Sequence, residues 1–194
     1  MEKLTREDLW SLEEYSEKRA EFKKQVLALK KDRQVALGEH ATLYFESEQT
    51  IRYQIQEMLR IEKIFDAEGI NEELGAYNPL IPDGNNWKAT FMIEYGDAEE
   101  RAKVLAKLVG VEDKVWVQVD GFDKVYAVAN EDLERSTAEK TSAVHFMRFE
   151  LSADMSKAVK EDKNISMGID YKGFEQLVNP IAEASRVSLM NDLQ

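Results

Sequence analysis

The chain has 194 residues, 43% of them hydrophobic and 33% charged, with 38 acidic against 26 basic side chains and a net charge of −12. That length suits one sizeable core and hence a single domain over residues 1–194, while the charge disfavours nucleic acid or an anionic membrane as a general partner, because both would repel most of this surface. With no cysteine present, disulfides, thiolate zinc sites, cysteine-ligated iron–sulfur clusters and cysteine nucleophiles are excluded.

The first residues carry charges where a signal peptide needs an apolar stretch, and no apolar run approaches the roughly 18 residues of a membrane span. A soluble, cytoplasmic protein is expected. Thr5, followed by acidic residues at Glu7 and Asp8, reads as a helix N-cap and opens an N-terminal helical segment over 5–33. Its main helix, 16–33, turns Phe22, Val26, Leu27 and Leu29 inward. Seven bases in this stretch (Lys18, Arg19, Lys23, Lys24, Lys30, Lys31, Arg33) outnumber three acids (Glu17, Glu21, Asp32), so the helix is basic within an acidic chain. It is either a solvated face or a docking patch for an acidic protein or a phosphate.

Short strands are expected at 35–37 and 41–45, then a strongly periodic helix from residue 47 or 50 to about 66 and a short helix over 71–76. The stretch 77–86, with two of the three prolines, is a loop. Period-two alternation from Trp87 to Tyr95 marks the clearest strand. Asp97 and Glu100 start a helix that Gly110 stops. Residues 115–119 and 125–129 form a hairpin around Gly121, and a polar segment covers 131–142. A central strand over 143–151 and a last strand from Ile165 to Tyr171 follow, and Asn179-Pro180 opens a closing helix to about residue 192. The fold class is α+β: an antiparallel sheet of about five to seven strands with helices packed mainly on one face.

One helix is anomalous. Ile51, Ile55, Met58, Leu59, Ile61, Ile64 and Phe65 sweep out an apolar arc with Arg52, Gln56, Lys63 and Asp66 opposite. Gln54, Glu57 and Glu62 nevertheless fall inside that arc, with Arg60 at its rim, and a buried carboxylate without a partner costs several kcal/mol. Either a structural network compensates them, with Arg60 or Arg148 as partners, or they converge with His145 or Arg148 on a small polar ligand, with Tyr77, Asn78 and the proline loop as a lid. In such a pocket Glu57 or Glu62 would be the acid/base or cation-binding carboxylate and Arg60 or Arg148 an anion clamp. His145 taken alone reads as a satisfied histidine near a core. No His-Glu-x-x-His, phosphate-cradling glycine loop or nucleophile elbow is present, so no metal, cofactor or catalytic residue is assigned.

Three stretches, Leu4-Thr-Arg-Glu-Asp-Leu-Trp-Ser-Leu-Glu-Glu-Tyr15, Val35-Ala-Leu-Gly-Glu-His40 with Leu43-Tyr-Phe-Glu46, and Tyr53-Gln-Ile-Gln-Glu-Met-Leu-Arg-Ile-Glu62, together resemble the bacterial family designated domain of unknown function 3501. The similarity continues through Tyr77-Asn78 and Ala143-Val-His145. Members of that family tend to be encoded beside rubrerythrin-like proteins and cysteine-rich iron–sulfur proteins. The resemblance therefore implies an accessory protein that docks onto such a redox partner in an oxidative-stress module. The alternative is a small polar-ligand-binding protein or enzyme whose pocket lies between the 54–62 helix and the 143–151 strand.

Overall fold

A computed structural model describes residues 3–133, 135–137 and 139–194. Glu134 and Ala138, within the polar segment expected at 131–142, lie outside the described residues.

After a 3₁₀ turn at Arg6–Asp8, α1 runs Leu12–Lys31, longer than expected because Ser11 caps it, its side chain accepting from the Glu14 N–H. The strands β1 (Gln34–Ala36) and β2 (Ala41–Phe45) lead to α2 (Glu48–Glu62) and α3 (Ala67–Tyr77). Ser47 and Thr50 cap α2 reciprocally, each side-chain oxygen accepting the other's backbone N–H. Next come β3 (Asn86–Ile93), α4 (Ala98–Leu105) and β4 (Val115–Val119), then β5 (Val125–Tyr126), β6 (Val128–Ala129) and β7 (Val144–Glu150). The chain closes with α5 (Ala153–Lys160), β8 (Ile165–Ile169), β9 (Gln176–Val178) and α6 (Glu183–Met190).

The fold is α+β, with nine strands among the described residues arranged in two antiparallel sheets: a five-stranded sheet ordered β1-β2-β3-β7-β6 and a four-stranded one ordered β5-β4-β8-β9. The strands expected in one antiparallel sheet are divided between these two, and three local features account for the difference. The expected strand at 125–129 splits at Ala127, so that β5 pairs with β4 while β6 crosses to β7 in the other sheet. Helix α5 and strand β9 are too short for their periodicity to stand out. Asn179 and Pro180 form a bend and the Ile181 N–H donates to the Ile165 carbonyl, so the closing helix starts at Glu183 and not at Pro180.

The two sheets share one core. Leu43, Phe45, Trp87, Phe91, Met147 and Phe149 from the larger sheet meet Val115, Val117, Val119, Ile165, Met167 and Ile169 from the smaller, with Val159 of α5 and Leu189 of α6 added. The N-terminal helices bury their apolar residues separately. Ile51, Ile55 and Leu59 of α2 pack with Leu74 of α3, Leu4 and Ile81, while Tyr15, Phe22 and Val26 of α1 form a third cluster with Trp10 and Tyr53. Among the described residues no helix is long and apolar enough to cross a membrane.

Because the helical layer has its own clusters, its attachment to the sheets depends on directed contacts. Arg33, 3% exposed, donates to the carbonyls of Phe45 and Glu46 at the end of β2, to Ser188 of α6, and to both carboxylate oxygens of Asp192 at 3.2 and 2.5 Å. Breaking a buried pair strands the surviving charge, at a cost of about 3–5 kcal/mol, whereas replacing both partners by apolar groups removes the desolvation penalty on each. Arg33→Met is therefore expected to lower urea-unfolding stability by about 3–5 kcal/mol, and adding Asp192→Leu should recover a substantial part of it. A single variant within about 1 kcal/mol of the parent would show that the pair is not the anchor.

Candidate functional site

The outward face of the five-stranded sheet is built by register. Tyr44, Thr90 and Phe146 are cross-strand partners in one row, and Thr42, Met92 and Val144 form the next. Over this floor stand Leu27, Lys30 and Lys31 of α1 and Thr50, Ile51 and Gln54 of α2, with Tyr77 and Leu80 at one end. Between floor and roof lies a cavity of about 740 Å³. This is within the roughly 300–1,000 Å³ typical of small-molecule sites, and its mainly apolar lining with a few polar groups is also typical.

The cavity's polar groups divide into satisfied and free. Glu46 accepts from the Thr50 hydroxyl at 2.6 Å and the Thr90 hydroxyl at 3.1 Å. Tyr44 donates to Glu94 at 3.1 Å, and burial followed by this bond pushes its phenol above the usual range. By contrast, the Gln54 amide, the Tyr77 hydroxyl and the ammonium groups of Lys30 and Lys31 have no side-chain hydrogen-bond or ion-pair partner among the described residues. An amide and a phenol inside an apolar enclosure are groups a ligand can engage.

Of the candidate ligand-binding residues 54, 57, 60, 62, 77, 78, 145 and 148, only Gln54 and Tyr77 reach this cavity. Glu57 faces α1 instead: it accepts from Tyr15 Oη and Arg19 Nε, both at 2.7 Å, from Arg19 Nη2 at 2.9 Å, and more loosely from Arg60. Arg19 above all, with Tyr15 and Arg60, holds its carboxyl down to about 2 against the opposing effect of burial. Glu62 is exposed on the last residue of α2, where nothing covers the helix. Asn78 exchanges hydrogen bonds with the backbone of Leu4, at 2.9 and 2.8 Å, and so fastens the N-terminal segment to the end of α3. Arg148 is held by Glu131 at 2.9 Å and Glu150 at 2.6 Å on the sheet surface. The convergence of these groups with His145 on one polar ligand is thus not what the chain does.

The physical reason is that α2 is covered on two sides. Gln56, expected to face solvent, is fully buried because α1 packs there; its amide bonds both the N–H and the carbonyl of Trp10. Arg52 lies over the Trp10 ring, 4.2 Å from its centroid. Ile61 and Phe65, expected inside, are 57% and 70% exposed. Tyr44, Glu46, Thr50, Thr90, Met92 and Phe146 also line the cavity, and period-two alternation along 87–95 and 143–151 is the signal that places Thr90, Met92, Val144 and Phe146 on one face.

His145 points the other way, into the core, and is fully buried. Its Nε2 lies 3.0 Å from both the Ser142 carbonyl and the Thr141 hydroxyl, and Nδ1 is 3.1 Å from the Asn130 amide nitrogen. A carbonyl can only accept, so Nε2 carries the proton and Nδ1 accepts from Asn130. Thr141 donates onward to Glu112, which Ser136 also meets. Burial pushes the imidazole pKa below its ordinary value, with Glu112 opposing. Among the described residues no three histidine, aspartate or glutamate side chains gather as a metal site.

The family model described as protein of unknown function (DUF3501) matches residues 3–193. The chain belongs to this family. It is similar to a crystal structure of a protein of unknown function from Burkholderia pseudomallei K96243, at 50% sequence identity and a TM-score of 0.93, with 100% of each chain covered. No curated protein matches.

Two outcomes follow from the ionisable groups. Because the folded-state pKa of Glu57 is depressed from 4.5 to about 2, its ionic bonds contribute fully above the unfolded value and are lost as pH falls toward the folded one. Glu57→Gln is expected to cost about 1–3 kcal/mol near neutral pH, with the gap closing between about pH 4.5 and 2; urea unfolding across pH reads this, and a gap independent of pH would refute it. For His145, nitrogen-15 NMR of the imidazoles at neutral pH should find the Nε2–H tautomer, and an Nδ1–H form would disprove the assigned network.

Proposed function

We propose that this protein binds a small, predominantly apolar molecule in the cavity between α1–α2 and the outward face of the five-stranded sheet. The observation that carries the reading is a partly open cleft of about 740 Å³ whose polar groups include an unengaged glutamine amide and tyrosine hydroxyl. From α2 the cavity takes Thr50, Ile51 and Gln54, and from β7 Val144 and Phe146. The lining favours an apolar ligand over a polar one.

The geometry favours this reading over an accessory role at a rubrerythrin-like or iron–sulfur partner. Such docking had its sequence basis in the basic character of α1, and two of those seven bases turn inward, Arg19 onto Glu57 and Arg33 onto Asp192.

Binding of the neutral dye N-phenyl-1-naphthylamine, followed by fluorescence, tests the proposal. Val144→Trp fills the cavity from the sheet and Leu27→Trp from α1. Each is expected to weaken the dye by at least about tenfold with little change in thermal midpoint. Undiminished binding in both variants would remove the cavity as the site.

A further inference from the structure

The charges around the cavity are opposite in sign to those of the molecule. In a chain of net charge −12, the charged side chains among the described residues lining this space are Lys30, Lys31, Arg33 and Glu46. Arg33 is spent on Asp192, and both Glu46 oxygens accept hydroxyl protons from Thr50 and Thr90. Two lysines without ion-pair partners among the described residues remain. Lysines at a helix C-terminus ordinarily serve its exposed carbonyls. Here the backbone N–H groups of Asp32 and Arg33 already serve the carbonyls of Leu29 and Lys30, so the ammonium groups are not needed as caps.

The opposite end differs. Leu80 and Phe146 also line a second recess of about 230 Å³, which carries Glu131 and Asp132 but also Lys88 and Arg148, with Arg148 paired to Glu131 and Arg135 to Asp132. The charges of that recess cancel, so it offers an anion no net attraction, whereas the ammonium groups at the α1 end have no carboxylate partner among the described residues. Between them the surfaces of Leu27, Ile51, Met92 and Val144 offer apolar contact.

We infer that the ligand is an amphipathic anion, an elongated apolar body ending in a carboxylate or similar head, seated with its head at Lys30 and Lys31 and its body along Met92 and Val144 toward Leu80 and Phe146. This rests on the cavity being a ligand site, and the test separates the two. Displacement of N-phenyl-1-naphthylamine is measured with decanoate, decanol and decylammonium, which share one chain and differ in charge. Decanoate is expected to bind about fivefold or more tightly than decanol, decylammonium more weakly than either, and the decanoate advantage should shrink as salt rises.

The double variant Lys30→Ala with Lys31→Ala should lose that advantage while keeping dye and decanol affinity. Equal affinity for decanoate and decanol, a preference for decylammonium, or an advantage that survives in the double variant would overturn the anion inference and leave the cavity standing. Bound dye that none of the three chains displaces would also overturn it. Failure of the dye itself to bind the parent protein would overturn both.

Discussion

The Arg33 guanidinium occupies the junction on which the molecule's arrangement turns. It follows the last turn of α1, and its hydrogen bonds reach the end of β2, the body of α6 and the Asp192 carboxylate. A planar fork of five donors can join three elements at once, which a lysine could not do. The pair is buried, so Asp192 is pushed upward in pKa by desolvation while Arg33 pulls it back. By holding the Glu46 carbonyl at 2.6 Å, Arg33 also fixes the backbone from which the Glu46 carboxylate reaches Thr50 and Thr90. The anchor that fastens the helical layer therefore helps shape one wall of the cavity.

A second constraint is the inequality of the larger sheet's two faces. Its inward face is apolar apart from His145 and joins the smaller sheet in a continuous core. Its outward face alternates Tyr44, Thr90 and Phe146 with Lys88 and Arg148, side chains that an apolar helix surface cannot seal without stranding their polar ends. The helices above respond by burying their apolar residues among themselves. Rim contacts such as Arg33 to Asp192 and the Lys88 ammonium to the Pro79 carbonyl at 2.7 Å hold the layers together, and the interval between them remains open. Cavity and polar outer face have one origin.

Helix α2 shows how a single periodicity can hide two interfaces. Its apolar arc suggested one buried side, on which Gln54, Glu57 and Glu62 were out of place. In three dimensions α1 and α3 grip it from different directions, so the three polar residues have three separate fates: Gln54 in the cavity, Glu57 in an ion-pair cluster with Tyr15 and Arg19, and Glu62 in water. Besides Thr50 in its first turn, the helix fully buries Gln56, a polar side chain from the face that looked solvated. Its compensation comes from the backbone of Trp10, a group that carries no sequence signature.

From residue types and spacing alone, the α+β class, the absence of cysteine chemistry, strand β2 over Ala41–Phe45 and the two-faced character of β3 and β7 were all determined, because local alternation and capping are properties of a few adjacent side chains. That same alternation named half the cavity floor before its purpose was known. The division into two sheets, the pairing of Arg33 with Asp192 across 159 positions, and the use of Gln54 and Tyr77 but not Glu57, Glu62 or His145 beside the cavity were decided only by tertiary structure. A helix exposes about 3.6 directions per turn, and which of them are covered depends on where distant segments dock, information that no single stretch of chain contains.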